Sequence, residues 1–194
     1  IQEQNISDKG GIIMYFEKPG KENTKETLQA AVRTAKERGI SHLVIASTGG
    51  ETPQLLEDTE GLNVVIVTTA TGSKVPNENR VSAERRAEWL AKGYQVCTAA
   101  HALSGAERGI SSVFHGVYPV EIIAAALRMF GQGTKVCVEV ATMAADAGMI
   151  PSGEPVIVVG GTGQGADTAL ILKAANSCRI LDTKIEEIIC KPLL

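Results

Sequence analysis

The 194-residue chain has a net charge of -3 and a pI near 5.7. Its length suits a single domain, which buries roughly 70% of its unfolded surface without needing metals or disulfides. The acidic balance argues against nucleic acid and anionic membranes as partners, since both usually require a basic face, and no apolar run approaches the length of a membrane span.

Residues 1–11, IQEQNISDKGG, are polar and lack the basic-then-apolar order of a signal peptide, so they read as a flexible leader to one domain over 12–194. Residues 12–16 make a first strand. Asn23 and Glu26 have the spacing of a capping box, and the helix they open buries Leu28, Val32 and Ala35 before stopping at Gly39. Residues 43–46 and 64–67 are β-branched strands of the buried kind. Between them Thr52 is expected to cap a short helix with Pro53 at its first position. Ser82 opens another helix through Trp89 to Gly93, and residues 94–97 return as a strand.

The following stretch is more helical. Residues 104–113 fit a short helix, and Pro119 starts a longer one that reaches Met129 or Phe130. Residues 136–147 are ambiguous, because VCVEV alternates like a strand whereas TMAADAG has helical composition and a glycine stop. The turn at 150–153, just before the strand 156–159, favours one helix. KIEEIICKP alternates as a last strand. Strands alternating with helices indicate an α/β fold around a largely parallel sheet.

Four cysteines, Cys97, Cys137, Cys178 and Cys190, lie far apart with no C-x-x-C. Three sit in apolar segments, where a free thiol acts as a small hydrophobe, so a reduced, cytoplasmic protein is expected.

Two glycine-rich loops carry the functional signal. In HLVIASTGGETPQLL, the residues Ser47, Thr48, Gly49, Gly50 and Thr52 offer hydroxyl and backbone donors at a predicted helix start, a natural phosphate grip; Glu51 suits it only if it points away. The alternative is a strand-to-helix turn that Thr52 merely caps. In VIVVGGTGQGADTALIL, Gly161, Thr162, Gly163 and Gly165 follow a buried strand, and Gly161-x-Gly163-x-x-Ala166 satisfies the dinucleotide fingerprint, with Asp182 at about the expected distance. A Rossmann-type unit would need a helix from Ala166 onward and a strand at 179–181. The short run 168–172 and the little chain remaining favour a strand–loop–strand hairpin instead. A third loop, with Thr69 and Gly72, also ends a parallel strand, where open α/β sheets bind ligands.

Other motifs are missing: neither glycine loop ends in Gly-Lys-Ser/Thr, and no G-x-S-x-G elbow occurs. The three histidines lack metal spacing. His101 follows a strand and is either a loop cap or a ligand contact at the sheet edge. On a helix over 136–147, Glu139, Met143 and Asp146 share one face, and a carboxylate among valines needs a partner or a cavity. Glu107 and Arg108 read as solvated helix charges or as a further site.

Taken together, these residues resemble the C-terminal α/β domain of pyruvate kinase, and more closely a group of free-standing proteins built on that domain alone. Ser47, Thr48, Gly50 and Thr52 match that family's S-T-x-G-x-T loop. Residues 156–161 with Gly163, Gly165 and Thr168 match its later valine run, glycine loop and threonine-bearing strand. The likeness covers most of 28–172, with an enlarged middle. YFEKPGKENT, LSGAERGIS and MAADAG extend it to the free-standing group.

The resemblance implies a three-layer α/β/α domain of core order 3-2-1-4-5, counted from strand 43–46, with 168–172 antiparallel. It further implies a phosphorylated ligand between the two loops, either a sugar phosphate or flavin mononucleotide (FMN). Ser47 to Thr52 would then hold the phosphate, and Thr69, Gly72, His101, Glu139, Met143, Asp146 and the 161–168 loop would contact the remainder. Pyruvate kinase activity is not expected, since that catalysis belongs to a barrel domain with no counterpart in this sequence. An enzyme using the pocket, with Glu139, Asp146 or His101 as acid or base, is the alternative. The apolar helix over 120–130 packs either internally or against a second subunit.

Overall fold

The computed structural model describes residues 12–194; the expected leader, residues 1–11, lies outside the described residues. Seven strands form one sheet: β1 (Met14–Phe16), β2 (His42–Ser47), β3 (Asn63–Thr68), β4 (Gln95–Thr98), β5 (Pro155–Gly160), β6 (Thr168–Lys173) and β7 (Lys184–Pro192), in the order β1-β7-β6-β5-β2-β3-β4. β2 runs parallel to both β3 and β5, and β3 is parallel to β4. β6 is antiparallel to both β5 and β7, and β1 closes the far edge parallel to β7. The stretch β4-β3-β2-β5-β6 is the expected core order, with its last strand reversed.

Because 168–173 is a strand, the helix needed by a dinucleotide-binding unit is absent, and Ser177–Asp182 forms 3₁₀ turns where that unit would need a strand. The Rossmann reading falls with it. The central strands are valine- and isoleucine-rich because both sheet faces are covered. Leu43, Val44, Ile45 and the whole run 156–159 are fully buried.

The described residues form five helices: α1 (Thr24–Arg38), α2 (Ala83–Ala91), α3 (Gly105–Phe114), α4 (Pro119–Arg128) and α5 (Gln132–Asp146). α1 and Trp89 of α2 pack on the face carrying Leu43, Ile45, Ile66 and Val159. α4 and α5 cover the other face, over Val44, Val65, Val158 and Leu170. α5 settles the ambiguous stretch as a helix. Twelve of its fifteen residues are buried, so its sequence lacks the polar stripe that marks a surface helix and its valines mimic a strand.

Two local expectations fail for identifiable reasons. Asn23 does not cap α1 with its side chain; a 3₁₀ turn, Lys21–Asn23, precedes the helix, and Asn23 Nδ2 donates to the Lys18 carbonyl at 2.7 Å. At Thr52 no α-helix forms. Thr52–Leu55 is a four-residue 3₁₀ turn without a side-chain cap, too short to nucleate a helix or sum a useful dipole.

α5 approaches β6 closely at Gly133. A Cβ there would meet the Thr168 side chain, with Asp167 Oδ1 only 2.9 Å away. Gly133→Ala is therefore expected to cost about 1–3 kcal/mol through overpacking, read as a lowered urea midpoint with an unchanged m-value.

Candidate functional site

At the edge where the parallel strands end, three hydroxyls line up across adjacent strands. Ser47 is paired in register with Thr68, and Thr68 with Thr98. The Thr68 and Thr98 hydroxyls are 2.6 Å apart, and Ser47 Oγ accepts the Gly50 N–H at 3.1 Å. Strand alternation turns all three toward the face that α2 covers, because Ile45, Ile66 and Val96, two residues earlier, belong to that side.

α2 brings the cations. Ser82 Oγ caps this helix by accepting from Arg85 N at 3.3 Å, which fixes its first turn beside the strand ends. Arg85 Nη1 donates to the Gly50 carbonyl at 3.0 Å, and Arg86 Nη1 donates to Thr98 Oγ1 at 2.7 Å. Gly50 holds φ at 95°, and a Cβ there would run into the Arg85 side chain and approach Trp89. Sequence reading missed both arginines. The available signal was the Ser82 cap, which places the next residues of α2 at the carboxyl edge.

The predicted phosphate loop is only partly what the sequence suggested. Ser47 and Thr52 are buried, Gly50 is buried, Gly49 is half-buried and Thr48 is exposed. Glu51 does not point away: its carboxylate oxygens lie 2.7 Å from where a Cβ on Gly49 would stand. Thr69, just past β3, has a buried hydroxyl with no hydrogen-bond partner among the described residues. Gly72 lies further out in an exposed turn, at φ 77°, donating to the Glu78 carbonyl.

The second glycine loop already contains an anion. Asp167 is fully buried. Its Oδ2 accepts from Gly20 N at 3.1 Å and Thr162 N at 3.2 Å, and its Oδ1 accepts from Thr168 Oγ1 at 2.8 Å. The Thr162 backbone N–H and the Thr168 hydroxyl, two of the donors the sequence offered, turn inward to this carboxylate. Gly161 and Gly165 permit the tight turn, since a Cβ at either would strike neighbouring backbone. Gly163 stands exposed at the tip.

On the opposite sheet face a separate cleft of about 470 Å³ is bounded by His101, Ser104, Glu107, Met143, Asp146 and Ser177, with walls that include Ala99, Ala100 and Ala102. It brings together His101, Met143 and Asp146 but not the Ser47 loop. Glu139 lies behind it, 3% exposed, ion-paired with Lys135 at 2.6 Å and accepting from Leu103 N at 3.0 Å. His101 Nδ1 is 3.8 Å from the same carboxylate. Glu139 therefore anchors the 101–103 segment and is no free base. Asp146 accepts from Ser177 N at 2.9 Å and from Asn176 at 3.2 Å. Burial raises its pKa, yet the hydrogen bonds from Ser177 and Asn176 outweigh this and hold the carboxyl below its ordinary value.

Burial also raises the Cys97 thiol, lifts Cys137 well above its ordinary value and pushes Cys190 up to about 11, as expected of packed hydrophobes. Among the described residues no cluster of three His, Cys, Asp or Glu side chains is placed to hold a metal. No single helix there is long and apolar enough to cross a membrane.

Removing the cation of the buried pair tests this assignment. Lys135→Met leaves the Glu139 carboxylate buried without its counter-charge and is expected to cost about 3–5 kcal/mol. Lys135→Met with Glu139→Gln should recover most of that loss, because Gln still accepts from Leu103 N; chemical denaturation of the two variants measures the difference.

The chain spans about a quarter of the length of the solved pyruvate kinases that it matches. A pyruvate kinase from Cryptosporidium parvum is 15% identical, with 78% of this chain and 23% of that one aligned at a TM-score of 0.41. The Cryptosporidium parvum pyruvate kinase in complex with ADP is 16% identical over 80% of this chain and 24% of that one, at a TM-score of 0.39. Residues 25–173 match the family described as the pyruvate kinase alpha/beta domain. That match runs from α1 through β6, the part of the chain with the reversed last core strand, and the chain belongs to the pyruvate kinase alpha/beta domain family.

Proposed function

We propose that this chain binds a phosphorylated small molecule at the carboxyl edge of its sheet, with the phosphate between the Ser47–Thr48 turn and the α2 arginines. One observation carries the reading: two guanidinium groups, Arg85 and Arg86, are held on the ends of β2 and β4, where Ser47, Thr68 and Thr98 line up. A guanidinium has five N–H donors, and each of these spends one on the protein frame among the described residues. The rest are available in the fork geometry that suits phosphate. Exposed Thr48 adds a neutral donor on the same turn. The arginines take the part that sequence reading gave to a helix dipole at Thr52.

A sugar phosphate and FMN both meet this chemistry. Bound flavin would supply redox chemistry; the role of this chain would be to grip the phosphate and orient the ring. The acid–base alternative loses ground, because Glu139 is committed to Lys135 and Asp146 to the 176–177 turn.

Thermal-shift screening of FMN, riboflavin and sugar bisphosphates is the first test, with flavin fluorescence released on denaturation as a second readout. Thr48→Ala combined with Arg85→Met should weaken a phosphorylated ligand about ten- to a hundredfold. Its dephosphorylated analogue should be nearly unaffected in calorimetry. Equal weakening of both analogues would make the loop a structural turn, and indifference to every phosphorylated compound would remove the proposal.

A further inference from the structure

The α3–α4 hairpin has the polarity of a surface helix pair turned inside out. Glu107 and Ser111, one turn apart on α3, face α4. The Glu107 carboxylate accepts from Val120 N at 3.3 Å and Glu121 N at 3.0 Å, satisfying the first turn of α4, and Ser111 Oγ donates to Glu121 at 2.6 Å. The polar groups are thus spent inside the hairpin.

Its apolar groups face water. Ile110, Val113 and Phe114 form an exposed helical stripe centred roughly a quarter-turn round α3 from Glu107 and Ser111, with Phe114 75% exposed, and Val117 continues just beyond at 81%. α3 buries no residue of its own. On α4, Val120, Ile123 and Leu127 pack inward against the α5 side of the core. That leaves Ile122 and Met129 outward on the same helical row as exposed Ala125 and Ala126. An outer face with this composition is built to be covered.

We infer that a second copy of this chain covers it. Ile110, Val113, Phe114, Val117, Ile122 and Met129 together present on the order of 600 Å² of apolar surface, most of the ~800 Å² that each partner contributes to a standard stable interface. Two such faces satisfy each other by two-fold symmetry without a second kind of molecule. Charge argues against a membrane as the occupant. The two helices carry Arg108 and Arg128 against Glu107 and Glu121, no cationic excess at all, whereas interfacial helices that lie on lipid are rich in Lys and Arg. This surface is separate from the phosphate site, so either assignment can fail without the other.

Sedimentation equilibrium of the full chain should give twice the 20.4 kDa protomer mass at micromolar concentration. Phe114→Asp should weaken association by about a hundredfold. Because Phe114 is exposed, circular dichroism and thermal midpoint at low concentration should not change. Arg108→Ser, on the opposite side of α3, should remain dimeric. A wild-type monomer throughout this range overturns the inference, as does association that survives Phe114→Asp. A monomer that floats with phosphatidylcholine vesicles also overturns it, assigning the face to a membrane surface.

Discussion

The Asp167 carboxylate is carried into a place that water does not reach, where donors from three chain segments meet it. Gly20 arrives from the junction before α1, Thr162 from the turn after β5, and Thr168 from the start of β6. An uncompensated buried carboxylate would be prohibitively unfavourable, so these three elements must come together in one arrangement. The arrangement is what lets β6 reverse direction beside β5. It also lets α1 close over the sheet, with Ala166 N donating to Thr24 Oγ1 at 3.0 Å. The glycines of this loop serve the same closure, because the backbone must approach its own carboxylate.

That internal anion shapes everything at the carboxyl edge. A phosphate placed in the 161–167 turn would face a buried negative charge and find the Thr162 N–H already taken. Glu139 acts similarly on the other face, where Lys135 and Leu103 N consume it and fix the segment leading into α3. With Asp167 satisfied by hydrogen bonds and Glu139 by Lys135, Arg85 and Arg86 are cations that α2 holds on the strand ends. The proposed phosphate grip therefore rests on α2, an element whose sequence looks like an ordinary capped surface helix.

The strands were legible because burial on both faces writes itself as runs such as LVI and VIVV, and the glycines between them mark turns; their order came with the resemblance to the pyruvate kinase domain. The reversed β6 was legible as well, since 168–172 is too short for a helix. What stayed hidden depends on contacts between residues distant in sequence. Asp167 directly follows a dinucleotide-like fingerprint, and only its meeting with Gly20, 147 residues away, reveals a structural carboxylate. Thr52 with Pro53 has every local mark of a helix start, yet the chain turns before a second turn can form. Glu139 was legible as a carboxylate in need of a partner. Lys135 is its i−4 neighbour on the same helix, so the pair itself could have been read from spacing once the helix was accepted.

The α3–α4 hairpin poses the converse problem. Its stripe of Ile110, Val113 and Phe114 has the spacing of a core-facing helix, and periodicity alone assigns it to the interior. The structure instead turns Glu107 and Ser111 inward, because the unpaired N–H groups at the start of α4 need an acceptor and only the Glu107 carboxylate of α3 supplies it. Satisfying that polar requirement fixes the rotation of α3 about its axis, and leaves the apolar stripe, roughly a quarter-turn round the helix, exposed. Amphipathic pattern tells which residues share a face; the hydrogen bonds at the helix junction decide which way that face looks.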